Sequence, residues 1–387
     1  MNKIITRTLY SIILLILLIP SLSLTIAWLP MGSNPQAERL ERIIKSPQYN
    51  QNEQKLSNPV ATPLSTGRPW TSILYDFFFN GEARRPPQKL PEVIPSAVEL
   101  KTKSNETRFI WFGHSTILLE LDGKRILIDP IFSDYASPLP LVAKRFQPSV
   151  LSIDEIKDVD IILISHDHYD HLDYKTIKKL KNRDLQYIVP LGVGAHLEYW
   201  GIDKSRITEL DWWDSSHYRG LTITCAPSQH FSGRGIDNQN STLWAAWAIR
   251  STEGDNQNIF FSGDSGYGAH YKEIGNRLGP FDITFIENGA YSTDWKFVHQ
   301  LPEEGVQAHI DLKGKLMVPV HWGMFDLALH SWYDPIVRVN DEAMQRGVSM
   351  LAPKLGQVVT VNNDKEIKPQ MWWSPFIQLY DTQPTVK

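Results

Sequence analysis

The chain has 387 residues, 42% of them hydrophobic, which suffices for one large domain or two small ones. With 39 basic and 43 acidic residues the net charge is −4, and no basic stripe argues for nucleic acid as a partner. The single cysteine, Cys225, excludes an intrachain disulfide; within the apolar run Leu221 to Ala226 it reads as a buried, inert thiol.

From Thr8 to Ser33 no side chain is charged. Lys3 and Arg7 precede the apolar stretches Ile12 to Ile19 and Leu22 to Leu29, split by Pro20. This predicts a signal or transmembrane segment over residues 1–32, with 8–29 long enough to span a bilayer. The positive front places the rest of the chain outside the cytoplasm, so an exported, membrane-associated protein is expected, with the membrane itself as a partner. Cleavage near Ala27 would instead give a secreted or periplasmic protein.

Residues 33–107 are rich in Pro, Asn, Gln and charge, and Pro86, Pro87, Pro91 and Pro95 prevent a long helix there. An extended Pro-rich arm packed on the main domain is predicted, because Tyr75-Asp76-Phe77-Phe78-Phe79 is too aromatic for a solvated linker. The main domain is placed at 108–387. Phe109 to Phe112, Ile117 to Leu121 and Arg125 to Asp129 read as strands, with Asp122-Gly123 a hairpin turn. Val159 to Ser165 follows, and then a helix capped by Asp173 that runs to Lys181. Further strands are predicted at Gln186 to Pro190, Leu221 to Pro227, Leu243 to Ile249, Ile259 to Ser262, Ile283 to Glu287 and Lys315 to Val320. Helices fit Pro302 to Asp311 and Asn340 to Arg346. Strands with intervening helices indicate a layered α/β domain. The 13 tryptophans fill a large core or form a lipid-facing patch.

The chemistry concentrates where the apolar run Ile161 to Ile164 ends in Ser165-His166-Asp167-His168-Tyr169-Asp170-His171. Side chains alternate along an extended segment, so His166 and His168 point the same way and can share one cation. Asp170 and His171 lie just beyond, where the chain turns, and can bind a second. Imidazole and carboxylate suit zinc and its first-row neighbours. Three later loops each offer a ligand-type side chain at a strand's carboxyl end: His230, Asp264 after Gly263, and His321. Together they complete two coordination sets.

These segments resemble the metallo-β-lactamase-fold hydrolases. Within them, the chain is similar to the N-acylphosphatidylethanolamine-hydrolysing phospholipase D group and its bacterial relatives. The likeness runs from about Arg108 to Gln357 and rests on Trp111-Phe112-Gly113-His114-Ser115-Thr116, Ile128 to Ser133 and the His166 to His171 loop. It continues through Pro227 to His230, Phe261 to Tyr267, Glu287-Asn288-Gly289-Ala290-Tyr291 and Pro319 to Phe325.

The resemblance implies an αββα sandwich with the site at one edge. It assigns His166, His168 and His230 to one metal and Asp170, His171 and His321 to the other, with Asp264 bridging. Two Zn2+ are implied, and iron or manganese suit the same ligands. It further implies a metal-dependent hydrolase, a phosphodiesterase acting on a phospholipid through a metal-bridging hydroxide. It places His299 near the substrate as an orienting or proton-donating group, and Asp170 also stands in the catalytic set. His114 reads equally as support behind a metal ligand or as a turn residue. A lactonase or esterase on another small ester is the second enzyme reading. A metal-retaining envelope protein with a vestigial site is the non-enzyme one.

Overall fold

The computed structural model describes residues 18, 21–81, 83–252, 254, 256–361 and 370–381. Six strands build most of the first sheet: β1 Arg108–Trp111, β2 Ile117–Leu121, β3 Lys124–Ile128, β4 Ile161–Leu163, β5 Gln186–Pro190 and β6 Ile207–Leu210. The second sheet comprises β7 Ser215–Tyr218, β8 Leu221–Ala226, β9 Ala246–Ser251, β10 Asn258–Phe261, β11 Phe281–Glu287 and β12 Gly314–Val320. The last strand, β13 Val358–Thr360, returns to the first sheet beside β1. The orders are β13-β1-β2-β3-β4-β5-β6 and β12-β11-β10-β9-β8-β7.

Side-chain alternation divides the first sheet cleanly. Phe109, Trp111, Ile117, Leu119, Ile126, Ile128, Ile161 and Leu163 face the second sheet, in one core with Ile223, Trp247, Phe261, Phe285 and Val318. The alternate residues Ile110, Leu118, Leu127 and Ile162 face outward, in a cluster with Ile177 and Leu180 of helix Tyr174–Leu180 and with Leu197 of helix Gly194–Tyr199. Helices His270–Arg277, Pro302–Asp311 and Asp334–Gln345 contribute Ile274, Val306 and Val339 to the core with the second sheet. This is the expected αββα sandwich. At Asp122-Gly123 both φ angles are positive, 47° and 72°, the backbone of the hairpin turn that joins β2 and β3.

Topology brings the strand ends together. β3 and β4 run parallel, and β1 shares their direction through its antiparallel neighbour β2. In the other sheet β10, β11 and β12 are parallel, and β8 shares their direction through antiparallel β9. The carboxyl ends of β1, β3 and β4 thus lie at one rim of the first sheet, and those of β8, β10, β11 and β12 at one rim of the second.

Three expectations need correction. Among the described residues no helix is long and apolar enough to cross a membrane. Residues 21–31 form a helix. Its end is docked on protein: Trp200 Nε1 donates to Leu29 O at 2.8 Å, Arg234 Nε donates to Pro30 O at 2.9 Å, and Ala27 is buried. The spanning helix at 8–29, the membrane-anchored location that it implied and the membrane as a partner are therefore withdrawn. Residues 8–17, 19 and 20 of that stretch lie outside the described residues.

The segment 33–107 is not simply extended. It carries helices Ala37–Ile44, Trp70–Phe79 and Ala97–Lys101, because its prolines flank these runs and do not interrupt them. Finally, the apolar stretch from Leu243 enters the sheet only at Ala246. Leu243 N donates to Leu191 O and Ala245 N to Ser165 O, at 2.8 and 2.9 Å, so its start ties the second sheet to the loops of the first.

Candidate metal centre

All seven side chains singled out in the sequence as ligands fall into two adjoining groups whose donor atoms lie within 4.8 Å of one another. In the first, His168 Nδ1 lies 2.9 Å from His166 Nε2 and 3.2 Å from His230 Nε2, while Asp264 Oδ2 is 3.7 Å from each of those Nε2 atoms. The second holds His114, Asp170, His171 and His321. Asp170 Oδ2 is 2.9 Å from His114 Nε2 and 3.4 Å from both His171 Nε2 and His321 Nε2. Asp264 Oδ2 reaches this side too, 3.2 Å from His171 Nε2 and 3.1 Å from His321 Nε2. One carboxylate oxygen therefore faces both groups.

The backbone is shaped for this. Gly263, before Asp264, has a φ of 56°, and a Cβ there would lie 2.6 Å from Ala245 O, so only glycine admits this approach of the sheets. His321 and His114 both adopt positive φ, 64° and 52°, and their backbones interlock: His321 N donates to His114 O at 2.9 Å and His114 N to Trp322 O at 3.1 Å. Trp322 stacks between Trp111 and Trp372, at 5.3 and 5.6 Å. The C-terminal tryptophans therefore brace the strand end that carries His321, and Trp373 is fully buried.

A second set of contacts orients the rings. His171 Nδ1 lies 2.7 Å from Asp129 Oδ2, Ser165 Oγ donates to that same oxygen at 2.6 Å, and His166 Nδ1 is 2.9 Å from Ser165 Oγ. His230 Nδ1 sits 2.9 Å from Val298 O. Each ring's other nitrogen is thereby turned toward its group.

Charge fits a cation. Burial holds His166 and His230 well below the usual imidazole range, leaving them neutral with a lone pair to give. On the other side burial also opposes a charge, but Asp264 and Asp170 outweigh it and carry His321 up to about 10 and His171 well above the usual range. Carboxylates that draw protons onto these rings would draw a metal ion as well. His171 Nε2, His321 Nε2 and Asp264 Oδ1 are buried and make no hydrogen bond, which is the condition of ligands for a cation. The donors are all nitrogen and oxygen, since Cys225 is buried elsewhere in the core.

Residues 124–322 match the model of the beta-lactamase superfamily domain. The chain belongs to that family. An uncharacterised protein of Mycobacterium tuberculosis is 41% identical over 306 residues, covering 78% of this chain and 80% of that one. The N-acyl-phosphatidylethanolamine-hydrolyzing phospholipase D 1 of Caenorhabditis elegans is 35% identical over 236 residues, covering 58% of this chain and 65% of that protein. A metallo hydrolase from the archaeon Ignicoccus hospitalis shares the fold, with a TM-score of 0.52 at 19% identity, over 66% of this chain and 98% of its own. The protein is a metal-dependent hydrolase of the metallo-β-lactamase fold, homologous to the N-acylphosphatidylethanolamine-hydrolysing phospholipase D enzymes. The non-enzyme reading falls with that assignment.

Sequence reasoning passed over Glu287. It ends β11 fully buried, makes a short contact with His299 Nδ1, and forms a third cluster with Asp264, His299 and His321. Burial pushes its carboxyl up, against the pull of His299. A carboxylate at a strand's carboxyl end was the signal that found Asp264, and it applied here too. A cavity of about 380 Å³ opens over the centre, and His168, Asp170, Asp264, His299 and His321 all line it.

Proposed function

We propose that this hydrolase is a binuclear zinc-dependent phosphodiesterase of the phospholipase D type, cleaving N-acylphosphatidylethanolamine-like phospholipids. The observation that carries the binuclear part is Asp264 Oδ2, which faces both ligand groups. His166, His168 and His230 would hold one ion and Asp170, His171 and His321 the other. Zinc suits this set, and iron or manganese would fit it as well. Ions held there would supply Lewis acidity, enough to acidify a water at neutral pH and to offset charge on the phosphoryl oxygens. The similarity to the worm enzyme, and 32% identity over 252 residues to the mitochondrial N-acyl-phosphatidylethanolamine-hydrolyzing phospholipase D of Saccharomyces cerevisiae, support a phosphodiester as substrate.

The chain's own groups divide the remaining work. Asp170 lines the cavity, where its carboxylate orients the attacking water. His114, against Asp170, keeps that carboxylate in place. His299 also lines the cavity and has Nδ1 fastened to Glu287, so its ring is oriented to give a proton to the leaving oxygen as the P–O bond breaks.

The test is metal analysis followed by assays on bis(p-nitrophenyl) phosphate, N-acylated phosphatidylethanolamine and lactones. Phosphodiester turnover without lactone turnover is expected. Lactone turnover alone would replace the reading with the lactonase one. His299→Ala should keep its metal and lose turnover by about 10²–10⁴-fold; unchanged kinetics would remove His299 from the reaction.

A further inference from the structure

Two walls of the cavity come from outside the sheets. Leu64 and Trp70 belong to the N-terminal segment, yet they line the same space as His168 and His321. The segment is fastened at three places. Asn58 Nδ2 donates to His230 O at 2.7 Å. Thr66 N donates to Asp294 O at 2.8 Å, and Arg68 pairs with the Asp294 carboxylate at 3.1 Å. Beyond helix Trp70–Phe79, Arg84 pairs with Asp326 at 2.6 Å and Ala83 O accepts from Trp332 N at 3.0 Å. Asp294 and Asp326 neighbour Trp295 and Leu327, two more residues of the cavity wall. The segment is therefore strapped across the cavity between the two loops that flank it.

Trp70 is 57% exposed although it lines the cavity, so core packing does not explain it. Leu64, Phe231, Trp295 and Leu327 add further apolar side chains to the lining of the cavity that Asp170, Asp264, His299 and His321 also line. A phosphoryl group alone would not fill about 380 Å³, a volume typical of sites that enclose a larger ligand.

We propose that Trp70 and Leu64 form a specificity-determining wall, which selects among substrates by the apolar group beside the ester that is cleaved. The inference rests on reading this cavity as the hydrolytic site. The ester sits at the ligand rim, and the apolar group lies between the strap and Phe231, Trp295 and Leu327. Substrate choice is thereby set by a segment that provides none of the metal ligands.

The experiment titrates the metal-loaded protein with unreactive alkylphosphonates, from methyl to decyl. Affinity should rise by up to about fourfold for each methylene covered by the wall. Trp70→Ala should cut the decyl-to-methyl affinity ratio at least about tenfold with metal content retained. Arg68→Ala, which removes the strap's ion pair with Asp294 and leaves the Thr66 hydrogen bond, should cut the same ratio less. Ratios equal to the native one in both variants would overturn the proposal, as would a native affinity independent of chain length. A chain-length effect in a protein that cleaves no phosphodiester would keep the wall and remove the phosphodiesterase reading. Phosphodiester cleavage without any chain-length effect would do the reverse.

Discussion

The two ligand groups share an oxygen but differ in charge. Around His166, His168 and His230 the donors are imidazoles that burial keeps unprotonated, and Asp264 is the only carboxylate in the group. Around His171 and His321 two carboxylates, Asp170 and Asp264, hold protons on the rings against the cost of burial. A metal ion therefore enters the first group without displacing a proton, whereas in the second it must displace the protons held on His171 and His321. The groups should therefore respond differently to substitution and to pH.

Asp264→Asn removes the oxygen common to both and should have the largest effect. Metal content is expected to fall at both groups and turnover by at least about 10³-fold, read by metal analysis and kinetics on one preparation. Retention of both ions would show that the groups are independent. Asp170→Asn sharpens the contrast, because only the second group contains that carboxylate. It should leave about one ion per chain, with turnover greatly reduced.

The pH dependence follows from the same difference. His321 and His171 have raised proton affinity, so protons compete for the second group, and its apparent metal affinity should climb as pH rises toward about 10. His166 and His230 are depressed, so affinity at the first group should be flat above about pH 6.5. Calorimetric titration in two buffers of different ionisation enthalpy separates the cases. Proton release on filling the first group near neutral pH would contradict the assignment of charge.

What the sequence disclosed, and what it hid, follows the same physical line. The loop from His166 to His171 was legible because its ligands are close in sequence and the strand period sets their directions. The layered α/β domain was legible because strands and helices intervene along the sequence, and its sandwich form came only through the family resemblance; that residues 109–111, 117–121 and 126–128 alternate between two buried faces is seen only in the structure. Long-range closure was not. Nothing local marks His114 as a neighbour of Asp170, Trp372 as a prop for Trp322, or Asn58 as a donor to His230 O. The segment near residue 30 misled for the opposite reason. Its apolar residues fit a bilayer by composition, whereas the described part ends against Trp200 and Arg234.

Asp129→Asn reaches the comparison one shell out. Asp129 is fully buried, orients His171 directly and reaches His166 only through Ser165. Metal affinity at the second group should drop about 10–100-fold, with a smaller loss at the first. Equal losses at both would mean that Ser165 transmits the orientation as strongly as a direct contact does.

Asn58→Ala should have the smallest effect, and it falls on the first group alone. The side chain donates to the main-chain carbonyl of His230 and accepts from Trp244 Nε1 at 3.1 Å, so it holds the strand end and not the ring. The ring is oriented separately, by Val298 O. Trp244 Nε1 keeps a second acceptor in Ser228 O at 3.0 Å, which limits the cost of the truncation. About 1 kcal/mol of stability should be lost, read by denaturant unfolding of the metal-loaded protein, with a change in metal affinity of less than about tenfold at the first group and none at the second. A loss as large as that of Asp129→Asn would mean that the N-terminal segment helps set the coordination geometry and is more than a wall of the cavity.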